Sequence, residues 1–315
     1  MASVHVVSPG LQTTVQDLGR WGYQAEGVSV AGAMDPFAHR LANALAGNAR
    51  SAATLEITLI GPELHFDAAR WVAIAGAAFD VQVDGEPIAP ETPVRVPAGS
   101  TLRFGARTSG ARAYLAIEGG VDVAMLLGSR ATHVQGGMGG WQGRALRRGD
   151  SLPLGELRGT FTPPRRSAGR RLAPDSKTPP TLRVLPGPQD DRFASDALDV
   201  LTSALYRVGG ESNRMGYRLT GPSIAHRDTA DIVSDATPLG ALQVPGSGQP
   251  VLLMADRQTT GGYAKLATVI SADIPVAAQL APGDLVAFRL CSHADAFAAL
   301  VARERALLAI EPGDA

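Results

Sequence analysis

The sequence predicts a mainly β protein made of two bodies with a few helices, and three observations point there. Its 315 residues suit two domains at about 150 residues each. The chain holds 36 glycines and 22 prolines, nearly a fifth of its length, with no fixed period, which signals many turns and short strands. Apolar residues make up 45 % and charged residues 19 %, enough for a sizeable core and far from the composition of a disordered chain.

Residues 1–155 read as an N-terminal β subdomain with one helix. Asp35 stands as N-cap and Pro36 at the first helical position. Phe37, Leu41, Ala44 and Leu45 then mark one face at helical spacing, and Gly47 closes the helix. Runs rich in Val, Ile and aromatics follow at 53–61, 71–88, 94–106 and 111–121, broken by turn pairs such as Asp84-Gly85 and Ala98-Gly99. This is antiparallel sheet material, suited to a barrel or a sandwich. Residues 156–181 read as a Pro/Arg-rich linker, with Pro163, Pro164, Pro174, Pro179 and Pro180 beside Arg158, Arg165, Arg166, Arg170 and Arg171. Residues 182–315 form a C-terminal β subdomain: a strand at 182–188, a helix over 191–206, strands at 250–258, 265–271 and 285–290, and a closing amphipathic helix capped by Ser292. The phrases 96–105 and 280–290 look alike and read as hairpins in related barrels.

Charge and composition exclude several classes. With 29 basic against 30 acidic residues, the electrostatic footprint of general nucleic-acid binding is missing. No apolar run reaches the length of a membrane span, and the first residues carry neither a basic leader nor an apolar signal core. A single cysteine, Cys291, forms no internal disulfide, and a reduced cytoplasmic setting is expected. Only Lys177 and Lys265 are lysines, so chemistry that needs an amine has few places to go.

Familiar catalytic signatures are missing as well. Neither lysine sits in a phosphate-binding loop, and the glycine cluster at 136–143 lacks dinucleotide spacing. His5, His39, His65, His133, His226 and His293 are scattered singly, so no metal is expected. No Gly-x-Ser-x-Gly elbow occurs, nor a biotin-attachment lysine. What stands out instead is polar side chains clustered beside glycines at 10–23, 32–35, 209–221 and 254–265. In the last of these Asp256, Arg257, Gln258, Thr259, Thr260, Tyr263 and Lys265 follow an apolar strand. Such a strand end reads as a site rim, where glycines admit backbone amides to a ligand and Arg and Lys hold a carboxylate or phosphate. Plainer readings stand beside it: Asp17 with Arg20 as a surface ion pair, Asp35 as a helix cap, and Ser212, Asn213 and Arg214 as a turn.

Taken together, QTTVQDLGR (12–20), GAMD (32–35), SNRMGYRL (212–219) and DRQTTGGYAK (256–265) resemble the carboxyltransferase-domain subdomains A and B family. That family is also called allophanate hydrolase subunit 2, and includes the KipI antagonist KipA and the C subunit of bacterial 5-oxoprolinase. The resemblance implies subdomains with cyclophilin-like β-barrel character, the first A-like and the second B-like. It also implies a separate partner protein that bears subdomains C and D.

Three activities follow from the resemblance. The first is a subunit of an ATP-dependent 5-oxoprolinase, active as a complex with the C/D partner and a third subunit, with ATP bound at the level of the complex. The second is a biotin-dependent carboxyltransferase component acting on urea or a related small amide, with biotin carried elsewhere. The third is a non-enzymatic KipA-like regulator that binds a KipI-like protein. For the first, a lactam must be activated and its anions stabilised. Arg257 and Lys265 are the candidates for phosphate and carboxylate, with Arg20 or Arg214, beside Asn213, completing a clamp. Asp17 or Asp256 would position water, and Gln258, Thr259, Thr260 and Tyr263 would orient the amide.

Overall fold

The computed structural model describes residues 2–157 and 178–310. Most of the linker predicted over 156–181, with its arginine cluster and Lys177, lies outside the described residues. The chain divides into two units. Unit 1 comprises Met1–Arg20, Ala31–Ala173 and Arg305–Ala315, and unit 2 comprises Trp21–Val30 and Pro174–Glu304.

Unit 1 runs β1 (Ser3–Ser8), β2 (Gln12–Gln16), α1 (Pro36–Leu45), β3 (Thr54–Thr58), β4 (Glu63–Phe66), β5 (Arg70–Val83), β6 (Glu86–Pro87), β7 (Val94–Val96), β8 (Thr101–Ile117) and β9 (Ser151–Pro153). Its strands form one nine-stranded sheet. The two strands expected at 94–106 and 111–121 are largely one: β8 pairs with β4 through Thr101–Arg103 and with β3 through Arg112–Leu115, while β5 lies along its length. Alternation divides the sheet into two faces. Val72, Ile74, Leu115 and Ile117 enter one core, while Ala73, Ala75, Tyr114 and Ala116 face α1. Small side chains on that second face let Phe37, Leu41 and Leu45 of α1 settle against it. The Asp35 carboxylate caps α1 by accepting from the Ala38 N–H at 2.9 Å, and Gly47 ends it at φ 74°, as the sequence predicts.

Unit 2 runs β10 (Thr181–Pro186), α2 (Ala197–Ser203), β11 (Leu205–Val208), β12 (Gly216–Thr220), β13 (Asp231–Ala236), β14 (Ala241–Gln243), β15 (Val251–Leu253), β16 (Thr260–Tyr263), β17 (Lys265–Val269), α3 (Ile274–Ala278), β18 (Leu285–Leu290) and α4 (His293–Leu308). Seven strands close a barrel in the order β10-β17-β14-β15-β12-β11-β18, and β18 returns in parallel to β10. Leu182, Val184, Tyr206, Val208, Tyr217, Leu219, Val286 and Phe288 alternate inward and are buried, which fills a barrel of this size with side chains. The mainly β class, with one closed barrel and a curved sheet, is as expected.

Three local expectations are corrected. The helix predicted over 191–206 is confined to α2, because Phe193 turns extended and bridges to His226, and Tyr206 and Val208 bury at strand period. The strand expected over 250–258 stops at Leu253, where Asp256 and Arg257 turn back onto Arg214 and Met254. The look-alike phrases share only a glycine turn, at Gly99 (φ 82°) and Gly283 (φ 94°). Neither is a hairpin: β7 and β8 each pair with β5, and β18 pairs with β10 and β11. Ser292 does cap α4, its hydroxyl accepting from the Asp295 N–H at 3.1 Å.

Candidate functional site

Unit 2 gathers the polar residues that follow β15. The Met254 and Asp256 N–H groups donate to the Met215 and Arg214 carbonyls, each at 2.8 Å, so the two segments run side by side. Across them the Arg214 guanidinium forks onto Asp256, Nε to Oδ2 and Nη2 to Oδ1, both at 2.9 Å. Both side chains are buried, and both carboxylate oxygens accept from a charged donor. Asn213 is exposed, and its Oδ1 accepts from the Met215 N–H at 2.8 Å, which makes it part of the turn that delivers Arg214.

Arg257 is half-buried. Its Nε donates to the Thr237 carbonyl at 2.8 Å and its Nη1 to the Met254 carbonyl at 3.3 Å, while its own carbonyl accepts from Ser29 Oγ at 2.8 Å. Burial lowers its pKa from the ordinary guanidinium range to about 10, so the group is still a cation at neutral pH. Gln258 Nε2 donates to Gln243 Oε1, and Gln243 Nε2 to the Tyr263 carbonyl, each at 3.3 Å. The Thr259 carbonyl accepts from the Thr237 N–H at 3.1 Å. A Cβ at Gly261 would stand 2.6 Å from Gln243 Nε2 and 3.2 Å from Gln258 Nε2, so a side chain there would push these amide ends aside. Thr260 and Tyr263 are exposed on β16.

Lys265 opens β17 with its side chain 1 % exposed. Its Nζ donates to Asp235 Oδ2 at 2.9 Å, and Gln189 Nε2 donates to the same oxygen at 3.1 Å. The Lys265 N–H in turn donates to Gln189 Oε1 at 3.2 Å. The ammonium, with the Ala236 N–H and Gln189 behind it, holds the Asp235 carboxyl below the usual carboxylate range.

Asp17 and Arg20 belong to unit 1. Asp17 is a loop anchor: Oδ1 accepts from the Gly19 N–H at 2.8 Å and Ser129 Oγ at 2.7 Å, and Oδ2 from the Arg130 N–H at 2.5 Å. Arg20 is buried and donates through Nη2 to the Ala131 carbonyl. The glycine cluster lies against it, since a Cβ at Gly139 would sit 2.5 Å from that Nη2. Beneath GAMD, Glu56 Oε2 accepts from the Met34 N–H at 2.9 Å and from the Tyr114 hydroxyl at 2.7 Å. Burial, and then the Glu56 charge, push the Tyr114 phenol well above its ordinary value.

Six of these residues escape sequence reasoning: Asp235, Gln189, Gln243, Thr237, Glu56 and Tyr114. Glu56 carries a readable signal, an acid in the middle of the apolar strand TLEIT. Asp235 meets Lys265 through the pairing of β13 with β16, and Gln189 through the turn that follows β10, the strand paired with β17. Among the described residues no group of three His, Cys, Asp or Glu could hold a metal, and no helix is long and apolar enough to cross a membrane.

Comparison with known proteins places these features in context. Residues 26–290 match the family described as the carboxyltransferase domain, subdomain A and B. The C subunit of the Escherichia coli (strain K12) 5-oxoprolinase is 36 % identical over 300 residues, covering 95 % of each chain. The urea amidolyase of Lachancea kluyveri is 35 % identical over 330 residues, which is 98 % of this chain but 18 % of that protein. The solved Kluyveromyces lactis urea carboxylase superposes with a TM-score of 0.91 at 33 % identity, over 99 % of this chain and 29 % of that one.

Proposed function

Because the chain belongs to the carboxyltransferase-domain subdomain A and B family, we propose that it is one subunit of a cytoplasmic, ATP-dependent 5-oxoprolinase. The complex opens 5-oxo-L-proline to L-glutamate together with a subdomain C/D partner and a third subunit. The supporting observation is similarity to the C subunit of a 5-oxoprolinase along 95 % of both chains. Likeness to the urea enzymes supports the second reading, a carboxyltransferase component for urea that draws biotin from another chain, but it covers 29 % or less of those proteins.

In the first reading ATP supplies a leaving group on the lactam oxygen. This chain lacks the phosphate loop that would cradle the nucleotide. ATP is therefore assigned to the assembled complex, and no step on this chain runs through it. What unit 2 offers is recognition of a small anionic amide. Lys265 and Arg257 supply positive charge in a desolvated setting, where a fixed donor counts for more than in water. Gln258, Thr259, Thr260 and Tyr263 line the same strand end and suit the ring amide. Asp256 holds Arg214, and Asp17 holds the loop at Ser129 and Arg130. Both carboxylates have their oxygens taken up by donors within the fold, so both serve as anchors.

The test is reconstitution. The chain is co-purified with its C/D partner and the third subunit, and glutamate formation from 5-oxoproline and ATP is measured. Lys265→Ala is expected to lower kcat/KM about 100-fold in the assembled complex, the scale of losing one preorganised donor. Full turnover in that variant removes Lys265 from the site. Turnover of urea with carboxybiotin, and none of 5-oxoproline, replaces the reading with the urea one. Tight partner binding with neither activity replaces it with the KipA-like regulator.

A further inference from the structure

Two of the ion pairs in unit 2 are of opposite construction. Arg214 and Asp256 are 5 % and 4 % exposed and joined at two points, the arrangement of a structural pair sealed from water. Lys265 and Asp235 are 1 % and 49 % exposed and joined at one point. A buried ammonium is costly without a partner, yet here the partner is delivered by an exposed element. Asp235 sits on the β13–β16 ribbon, a two-stranded sheet paired with nothing else among the described residues. That ribbon is weakly built: Val233 is 92 % exposed, the register slips between Asp231 and Asp235, and β16 carries Gly261 and Gly262. Two strands on their own are marginally stable, and such segments open at low cost. Backbone bonds hold the ribbon at its ends, from the Thr237 N–H to the Thr259 carbonyl and from the Ala264 N–H to the Ala230 carbonyl, each at 3.1 Å.

We propose that Lys265 Nζ and Gln189 Nε2 form a subsite for a small carboxylate, which Asp235 fills as an internal stand-in and vacates when the ligand arrives. The two donors already converge on one carboxylate oxygen, at 2.9 and 3.1 Å, so a carboxylate from solution meets a preformed pair. Released Asp235 returns to water, where half of its side chain already lies, and the exchange leaves no charge buried alone. The inference deepens the lactam reading and rests on it for the ligand, 5-oxoproline, whose carboxylate it assigns to these two residues.

The sequence supplies a direct readout, since Lys265 is one of only two lysines in the chain. Pulsed acylation with peptide mapping reports the reactivity of its amine, referred to the same peptide in unfolded protein. In the wild-type chain Lys265 reacts slowly. In Asp235→Asn it is expected to react about tenfold faster, the effect of losing one charge-assisted bond. Saturating 5-oxoproline restores protection in that variant, whereas 2-pyrrolidinone, which has the ring but no carboxylate, does not. Adding Gln189→Leu removes the second donor of the subsite and weakens the restored protection. Equal reactivity in wild type and Asp235→Asn, or equal protection by 5-oxoproline and 2-pyrrolidinone, overturns the proposal. Protection by 5-oxoproline without glutamate formation in the reconstituted complex defeats the oxoprolinase reading and leaves the subsite standing. Glutamate formation without protection does the reverse.

Discussion

One imidazole makes unit 1 sensitive to mild acid. His39 is fully buried on α1, with Nδ1 2.9 Å from Thr54 Oγ1, and burial takes its pKa from 6.5 to about 4. Between those values the unfolded chain binds a proton that the folded chain refuses, so stability falls as pH drops through the window and levels off below it. A gap of that size corresponds to about 3 kcal/mol. Urea unfolding at pH 7, 5.5 and 4.5 should show this loss, and His39→Gln should flatten the slope whatever it does to stability at pH 7. An unchanged slope assigns the acid sensitivity to other groups. At this scale the sequence is half legible. Polar residues packed beside glycines mark 256–265, but not what each side chain touches. Asp256 reads as a free carboxylate until Arg214 is brought alongside, and Lys265 reads as a lone amine until β13 is laid over it. Pairing between segments that lie 30 to 42 residues apart is contained in no local window.

Among the elements, those governed by local chemistry are legible. The Asp35-Pro36 start of α1, the Ser292 cap of α4 and the Asp84-Gly85 turn each follow from one residue's backbone preference. The turn gives a clean prediction. Gly85 has φ 90°, and a Cβ there would meet nothing within 4 Å, so Gly85→Ala changes backbone strain alone. It should destabilise by about 1 kcal/mol, seen as a melting temperature lower by a few degrees, with Asn at 85 costing less. A loss well beyond that would mean the β5–β6 turn makes contacts other than its own. Elements with mixed periodicity mislead. Phe193, Ala197, Leu201 and Leu205 fall at helical spacing, but the second turn ends at Ser203 and the chain switches to strand period, because Tyr206 and Val208 are needed inside the barrel.

For the whole molecule, turn-residue content and short apolar runs suffice for the mainly β class. The closure of the barrel is hidden, since β10 and β18 stand at opposite ends of the second half. That closure is testable by truncation. A chain ending at Leu280 lacks β18, leaving β10 and β11 each with one open edge, and unit 2 should lose its protease resistance and the near-ultraviolet signal of Tyr206 and Tyr217. A chain ending at Cys291 keeps all seven barrel strands and should keep both properties. A protease-resistant unit 2 in the shorter chain would show that six strands suffice. The same pairing orders events on the ribosome. Thr181 pairs with Ala287, so β10 leaves the exit tunnel long before its partner is made and waits as an open edge. Contacts so distant in sequence form slowly, and unpaired edges attract other chains. For this protein, the interval between synthesis of β10 and of β18 is when it is most exposed to aggregation, and when a chaperone would matter most.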